Sequence, residues 1–445
     1  MEDGDVSAIL AALDAPPPRA RARQAITATS GDALPFFALR TAVNATRFGT
    51  GLKSFREDEF GLGPEAPSRA HIQAVNRLLA EARQPQIVED ERLSRVARNI
   101  GKAGDSQRAL LLHLKERNQA LAGEAEKIWE FYLNLFSQRA GPFRHWLRGI
   151  DRIALDCYQA VYLGLGKARP IPSPAPFAYM EAGFGPATFR RGVKLSMLGQ
   201  RQNPFPLVKV PYHRLLNPWS LGAVPHEVAH NLQNDLGLWA VIPRRIKRAF
   251  TGHKLPDRNA EVWQRWHKET YADLTGVLLI GPAYVGSLMD VVGRSREQAS
   301  AYSDDAVHPT PLIRVPLNIR LLERIGFGED ASAFRRAWDQ LYPASVWRKI
   351  PGWVTERLQQ QIDATLDAMC FENFDEYGGK ALAQVIRFEP KHATLVREAA
   401  LRLEAGTSTG VLPERFLIAA ARIALVRKRT DPEVIHRNFY DTLGR

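Results

Sequence analysis

The 445-residue sequence contains only two cysteines and no apolar run long enough to cross a membrane. Cys157 and Cys370 are too few for a disulfide framework and form no Cys-x-x-Cys metal site. Each is therefore expected to be a small buried apolar residue. The longest apolar stretch, 274–289, is interrupted by Gly281-Pro282 and falls short of the ~20 residues that a spanning helix requires.

The amino terminus also lacks the features of a secretory signal. Acidic residues stand where a signal peptide carries positive charge, and Asp14 breaks the first apolar run. Residues 1–30 are predicted to be partly disordered or loosely helical. From these absences we expect a cytoplasmic protein that does not insert into a membrane.

The charge balance is basic, with a formal net charge of +12. Such a charge can attract nucleic acid, anionic lipid or acidic protein. The basic residues are spread over the whole chain, however, and the densest cluster, 243–250, is short and lies in no recognisable nucleic-acid module. A solvated basic face is therefore the preferred interpretation, and no nucleic-acid partner is expected.

Apolar periodicity predicts helices over most of the chain. Spacings of three and four residues indicate helices from about 70 to 165, including an amphipathic helix at 149–166, and again beyond about 330. Two short strands are predicted between these regions, at 191–198 and 206–212. The second has prolines at its ends, which is typical of an edge strand.

These elements predict a mainly α fold with a small β-sheet, an α+β arrangement flanked by helical regions. The predicted divisions are a helical N-terminal region, a central domain and a helical C-terminal region, at 1–148, 149–330 and 331–445.

The stretch "GAVPHEVAHNLQNDLG" in mid-chain contains His-Glu-x-x-His. His226 and His230 are four residues apart, so both project from one helical face and can bind a single metal ion. Glu227 is offset by about 100° of helix rotation, a position from which it can act as general base on a metal-bound water. The neighbouring apolar residues indicate a buried helix, and two buried histidines need polar partners or a metal.

A third ligand is expected from a second helix. Leu236 stands where the metzincin pattern would have a third histidine, which excludes that subclass. The helical segment 261–281 carries Glu269 and Asp273 four residues apart on one face. We predict that Glu269 binds the metal and that Asp273 accepts a hydrogen bond from a ligand histidine. Glu261 is a weaker candidate ligand, and a solvent-facing Glu269 with a local salt bridge at Asp273 is the alternative.

A histidine in a proline-framed turn follows in the stretch "HPTPLIR". His308 stands in this turn, and Arg314 lies six residues later. Either side chain can direct a hydrogen-bond donor at a developing oxyanion. Arg314 can instead hold Asp304, Asp305 or a carboxylate of the metal site in place, and a helix-capping turn stays open for both residues.

The order of "HEVAH", "ETYAD" and "HPTPLIR" resembles the gluzincin zinc metallopeptidases and is most similar to their HtpX/Ste24-like branch. The resemblance covers about residues 150–325. It implies a zincin-like core with one Zn²⁺ per chain, bound by His226, His230 and Glu269, and with Glu227 as catalytic base. The membrane-spanning helices of that branch are absent from this sequence.

The resemblance further implies that His308 is a transition-state donor and that Asp273 supports a ligand histidine. Such domains begin with a backing helix, here 149–166, and an edge strand above the metal accepts the substrate as an added strand. The segment 206–212 is the candidate for that strand. Tyr212 and His213 are then expected to contact substrate near the cleft.

The leading hypothesis is a zinc-dependent peptidase, with an endopeptidase favoured, that acts on a protein or peptide. Two alternatives stay open. One is a catalytically inactive zincin-fold protein that binds or scaffolds a partner through its helical flanks. The other is a basic, nucleic-acid-associated regulator with a switched peptidase.

Overall fold

The computed structural model describes residues 33–166 and 170–444, so the segment predicted to be loose, 1–30, lies outside the described residues. The chain divides into two compact units. Within the described ranges, the first unit contains 33–141 and 192–204, and the second contains 142–166, 170–191 and 205–444.

Both units are built mainly from helices, and the strands are short. The helices are α1 (Ala33–Gly51), α2 (Arg69–Arg98), α3 (Asp105–Ser137), α4 (Arg144–Gly164), α5 (Tyr212–Leu215), α6 (Ala223–Asp235), α7 (Val241–Gly252), α8 (Asp257–Ile280), α9 (Pro282–Val292), α10 (Arg296–Ala299), α11 (Pro311–Arg324), α12 (Gly328–Leu341), α13 (Ala344–Trp347), α14 (Gly352–Thr355), α15 (Leu358–Leu366), α16 (Leu382–Val385), α17 (Pro390–Ala405), α18 (Phe416–Arg427) and α19 (Pro432–Gly444). The strands are β1 (Phe177–Met180), β2 (Ala187–Phe189), β3 (Lys194–Leu195), β4 (Arg201–Gln202), β5 (Leu207–Val210), β6 (Asn373–Phe374) and β7 (Lys380–Ala381). The predicted mainly α fold with a small β component is confirmed.

The first unit consists of α1, α2 and α3 with the short hairpin β3–β4. The Tyr132 hydroxyl of α3 donates a hydrogen bond to Asn203 Oδ1 over 3.0 Å, which joins the helix to the segment that follows β4. The strand predicted at 191–198 is only two residues long. It is followed by a turn at Gly199, whose φ of +58° suits glycine better than other residues.

The sheet of the second unit corrects one prediction. Its strand order is β1-β5-β2, with β1 parallel and β2 antiparallel to β5. The strand predicted at 206–212 is β5, and it is the central strand of this sheet rather than an edge strand. Pro206 and Pro211 lie just outside the paired residues, so they remove no hydrogen bond from the ladder. The edge strand on the side of the antiparallel pairing is β2.

Helix α6 is the centre of the second unit. It packs against α8 on one side and against α4 on another, and α4 also covers β1. The helix predicted at 149–166 is α4, and it packs against both α6 and β1. Val224, Val228 and Leu232 of α6 are fully buried in this core. Their burial fixes the rotation of α6 and turns the opposite face, with its two histidines, towards α8.

The C-terminal helices belong to the same compact unit as the predicted central domain. Arg415 Nη1 lies 2.8 Å from Asp156 Oδ2 of α4, and the Tyr440 hydroxyl donates to the carbonyl of Leu215 over 2.8 Å. Helices α18 and α19 bury apolar faces in the core that also contains α4 and α6. The boundary predicted near 330 therefore does not separate two compact units.

A glycine turn directs the chain from α8 into α9. Gly281 has φ +63°, and an added Cβ would lie 2.3 Å from the Phe388 ring. The turn brings Tyr284 back against Gly276 of α8, where a Cβ would lie 2.2 Å from the tyrosine ring. The close approach of α9 to α8 therefore depends on both glycines.

Three further expectations concern membranes, the two cysteines and the basic cluster. Among the residues that the structure describes, no helix combines the length and the apolar character needed to cross a bilayer. Cys157 and Cys370 are buried and free, as predicted. In the cluster 243–250, Arg245 and Arg248 both pair with Glu372, at 3.4 and 2.9 Å, so part of its charge is balanced locally.

Candidate metal centre

Two helices supply three potential metal ligands. His226 and His230 project from one face of α6, and Glu269 projects from α8. His226 Nε2 lies 3.2 Å from His230 Nε2 and 3.3 Å from Glu269 Oε2, and His230 Nε2 lies 3.4 Å from Glu269 Oε1. The three residues form a group that could hold a metal ion, as the sequence predicts.

Asp273 contacts the Nδ1 side of the potential ligand His226. Its Oδ1 lies 3.0 Å from His226 Nδ1, and the carboxylate is fully buried. A neutral His226 that donates from Nδ1 to Asp273 has an unprotonated Nε2, and that nitrogen faces His230 and Glu269. The predicted contact between Asp273 and a ligand histidine is therefore present, and it directs the lone pair of Nε2 into the cluster.

Tyr284 of α9 adds a contact that the sequence analysis did not anticipate. Its hydroxyl donates to Asp273 Oδ1 over 2.6 Å and lies 3.1 Å from His226 Nδ1. The only signal in the sequence is the Gly281-Pro282 break, after which a new helix starts with a tyrosine in its first turn.

Arg314 of α11 contacts both carboxylates of α8. Its Nη2 donates to Asp273 Oδ1 over 2.8 Å and to Glu269 Oε2 over 3.4 Å, and its Nε donates to Asp273 Oδ2. Of the roles considered for Arg314, the geometry supports the one in which it holds the carboxylates of the metal site. Asp304 and Asp305 are not its partners within the described part of the chain.

The carboxylate charges of the cluster favour the binding of a cation. Burial by itself lowers the pKa of His226, but hydrogen bonds with Asp273 and Glu269 outweigh this and raise it to about 10. Burial by itself raises the pKa of Glu269, but His226 and Arg314 lower it to about 2. Burial also raises the pKa of the Asp273 carboxyl, but Arg314 and His226 outweigh this and lower it. The carboxylates of Asp273 and of the partly buried Glu269 thus stay ionised beside one guanidinium, and without a metal a proton on His226 supplies a further positive charge.

Glu227 and His308 stand beside this cluster. Glu227 is buried and lines the same cavities as the cluster, and burial raises the pKa of its carboxyl to about 7. His308 is exposed in the loop before α11, and its Nε2 lies 3.3 Å from Glu269 Oε1. The structure therefore brings both predicted catalytic side chains next to the three potential ligands.

The cluster lies where two cavities meet. One has a volume of about 520 Å³ and the other about 410 Å³. Both are lined by the residues Pro186, His226, Glu227, Glu269 and His308. The smaller cavity is also lined by Ala187 and Thr188 of the edge strand β2. The cleft therefore extends to both sides of the cluster.

Other predicted residues are not brought to the cleft. Within the described residues, neither Tyr212 nor His213 lines the two cavities, and the Tyr212 ring instead packs against Phe143 and Trp146. Both residues would lie beside the cleft if β5 were the edge strand, but β5 is the central strand of the sheet. The weaker candidate ligand, Glu261, is exposed and lies outside the cluster.

The role of Tyr284 can be tested by removing its hydroxyl. In the variant Tyr284→Phe we expect metal affinity to fall about 10-fold, because Asp273 and His226 lose a partner that orients them. The ring remains against Gly276, so the fold is expected to be retained. The measurement is a metal titration in competition with a chelating dye. The control is Tyr302→Phe, which removes a hydroxyl bound to Asp304 at the surface. Equal affinities for all three proteins would contradict the role of the hydroxyl.

Comparisons of the chain with models of protein families, with curated proteins and with solved structures found no match.

Proposed function

We propose that the chain is a zinc-dependent peptidase that hydrolyses internal peptide bonds of proteins or peptides. The observation that carries the proposal is the convergence of His226, His230 and Glu269 from two helices, with Glu227 beside them in an open cleft. The resemblance of the three motifs to the gluzincins agrees with it. The zincin-like architecture is part of the same proposal.

The residues present fit a zinc ion. Zinc bonds of about 2.0–2.1 Å in a tetrahedral arrangement separate the ligand atoms by about 3.3 Å. Here the two histidine Nε2 atoms are 3.2 Å apart, and they lie 3.3 and 3.4 Å from the two different oxygens of the Glu269 carboxylate, so each separation is close to this value. Two imidazoles and one carboxylate are also a donor set of catalytic zinc sites, in which the fourth position stays open. The proposed stoichiometry is one Zn²⁺ per chain.

When bound, zinc supplies a Lewis acid and lowers the pKa of a coordinated water. The Glu227 carboxylate accepts a proton from the attacking water while the oxygen of that water bonds to the scissile carbonyl carbon. The same carboxyl then gives this proton to the amine that leaves when the C–N bond breaks.

His308 and Arg314 receive different roles. His308 is exposed in the cleft beside Glu269, so we assign it hydrogen-bond donation to the oxyanion that develops on the carbonyl. Arg314 is engaged by Asp273 and Glu269, so it is a positioning residue. Because the cleft extends to both sides of Glu227, a chain can occupy it on both sides of the scissile bond, which favours an endopeptidase.

Removal of the metal tests the proposal. Wild-type protein incubated with a library of random decapeptides is expected to produce new termini, which mass spectrometry detects. Treatment with 1,10-phenanthroline should abolish this cleavage, and addition of zinc should restore it. The variant Glu227→Gln, purified in the same way, controls for contaminating peptidases that survive purification.

The outcome also separates the alternatives. Protein that binds zinc but never cleaves the library would contradict the peptidase and favour the inactive scaffold. Cleavage that is indifferent to the chelator would contradict the role of the metal. The nucleic-acid-associated regulator would instead require binding to DNA or RNA that weakens steeply with salt.

A further inference from the structure

The smaller cavity beside the metal cluster contains two cations that both lie close to one indole ring. Arg190 Cζ lies 3.7 Å from the centroid of the Trp239 ring, and Lys268 Nζ lies 3.8 Å from it. All three side chains are partly buried and line this cavity. Lys268 precedes Glu269 on α8, so this cation stands directly beside the metal cluster.

The indole positions the ammonium group of Lys268 without neutralising it. A cation over an aromatic face is attracted by the ring quadrupole and keeps its full charge. Within the described part of the chain, Lys268 makes no ion pair. The acidic residues that line the same cavity are Glu227 and Glu269, and both belong to the proposed catalytic site. Arg314 differs, because its charge is balanced by Asp273.

The larger cavity has a different lining from the smaller one. The larger cavity is lined by the apolar side chains of Leu288, Val291 and Val292 from α9. The larger cavity also contains Arg294, which lies over the Phe184 ring, so the two cavities differ in their apolar lining and not in the presence of a cation.

We propose that Lys268, Trp239 and Arg190 form a subsite for a carboxylate of the substrate, and that this carboxylate is the side chain of an Asp or Glu at a fixed position beside the scissile bond. The proposal rests on the proposed peptidase function and specifies its substrate class. A carboxylate in the cavity accepts hydrogen bonds from the ammonium group of Lys268, and the aliphatic part of the acidic side chain contacts the indole.

The test uses cleavage of two decapeptide libraries, one with amidated C-termini and one with free C-termini. Mass spectrometry of the products is expected to show Asp and Glu enriched at one position relative to the cut in both libraries. In the charge-reversed variant Lys268→Glu, the cleavage of peptides with an acid at that position should fall at least ~10-fold. Lys and Arg should replace the acids there.

Two further variants control the comparison. Lys268→Gln is expected to remove the preference for acids without reversing it. Lys247→Glu makes the same charge change at an exposed lysine that lines neither cavity, and it should leave the preference unchanged. Zinc content per chain is measured in each variant, so that loss of the metal is not mistaken for loss of specificity.

A second readout does not depend on catalysis. The Glu227→Gln protein is immobilised, and the peptides that it retains from the amidated library are sequenced. Acidic peptides should be enriched, and the enrichment should disappear in the double variant with Lys268→Glu. This arm reports on the subsite even when no cleavage occurs.

The results separate failure of the subsite from failure of the peptidase. Cleavage with no preference for acids would overturn the subsite and leave the peptidase intact. Cuts confined to the last bond of peptides with free termini would identify the carboxylate as the C-terminal one and overturn the acidic side chain. If acidic peptides are retained but no peptide is cleaved, the result would support the subsite and contradict the peptidase. If the protein neither cleaves the peptides nor selectively retains acidic ones, both the subsite and the peptidase are overturned.

Discussion

Replacement of Glu269 by Gln is expected to leave the protein almost without metal. Glu269 supplies the only carboxylate of the three-ligand group, and the neutral amide lacks the charge that attracts the cation. The change also deprives Arg314 and His308 of an ionised partner. Loss of a residue that merely orients a ligand costs about 10–100-fold in affinity, so loss of the ligand itself should cost more than ~100-fold.

Elemental analysis of protein purified without chelator measures this effect. We expect about one zinc ion per chain in the wild type, as in other three-ligand sites, and far less in Glu269→Gln. The matched control is Glu261→Gln, the same chemical change on the same helix at an exposed position. Equal zinc in wild type and Glu269→Gln would show that Glu269 is not a ligand. A wild type without zinc would remove the basis of the proposed function.

Replacement of Glu227 by Gln should separate metal binding from catalysis. Glu227 lines the cleft but is not one of the three potential ligands, so the variant is expected to retain its zinc. The amide cannot take the proton of the attacking water or return it to the leaving amine. Loss of a general base that acts in both steps should lower the rate of peptide hydrolysis by about 10²–10⁴-fold.

The rate is measured on a single fluorogenic peptide chosen from the cleaved library sequences, with zinc content determined in the same samples. Glu261→Gln serves again as the control and should hydrolyse the peptide at the wild-type rate. Undiminished hydrolysis by Glu227→Gln would refute its role as general base. Loss of zinc in that variant would instead indicate that Glu227 takes part in holding the metal.

The parts of the site that could be predicted are those encoded by short spacings. A four-residue interval places His226 with His230, and Glu269 with Asp273, on one face of a helix whatever the rest of the fold does. Burial of a polar group then demands a partner, and the opposite helix is the nearest source of one. These two local rules were sufficient to predict the three potential ligands and the carboxylate behind them.

The parts that could not be predicted depend on contacts between distant segments. Tyr284 reaches Asp273 only because α9 folds back at Gly281. The spacing of residues along the sequence does not predict the direction of that turn. The position of β5 in the sheet depends on β1 and β2, and β2 has only three residues. Tyr212 follows β5 in sequence, but its ring turns towards Trp146 and away from the cleft. Adjacency along the chain is therefore a poor guide to the surroundings of a loop residue.

The two compact units interleave along the chain, and this restricts how the protein can be divided for study. Residues 192–204 of the first unit interrupt the second unit between β2 and β5, which pair with each other. A fragment that ends at 141 lacks the hairpin β3–β4, and a fragment that begins at 142 carries this hairpin without α3. Expression of the first half thus produces an incomplete first unit, and expression of the second half leaves the hairpin without the helices of its own unit. Co-expression of the two halves, with complementation between them, is the form of dissection that the connectivity permits.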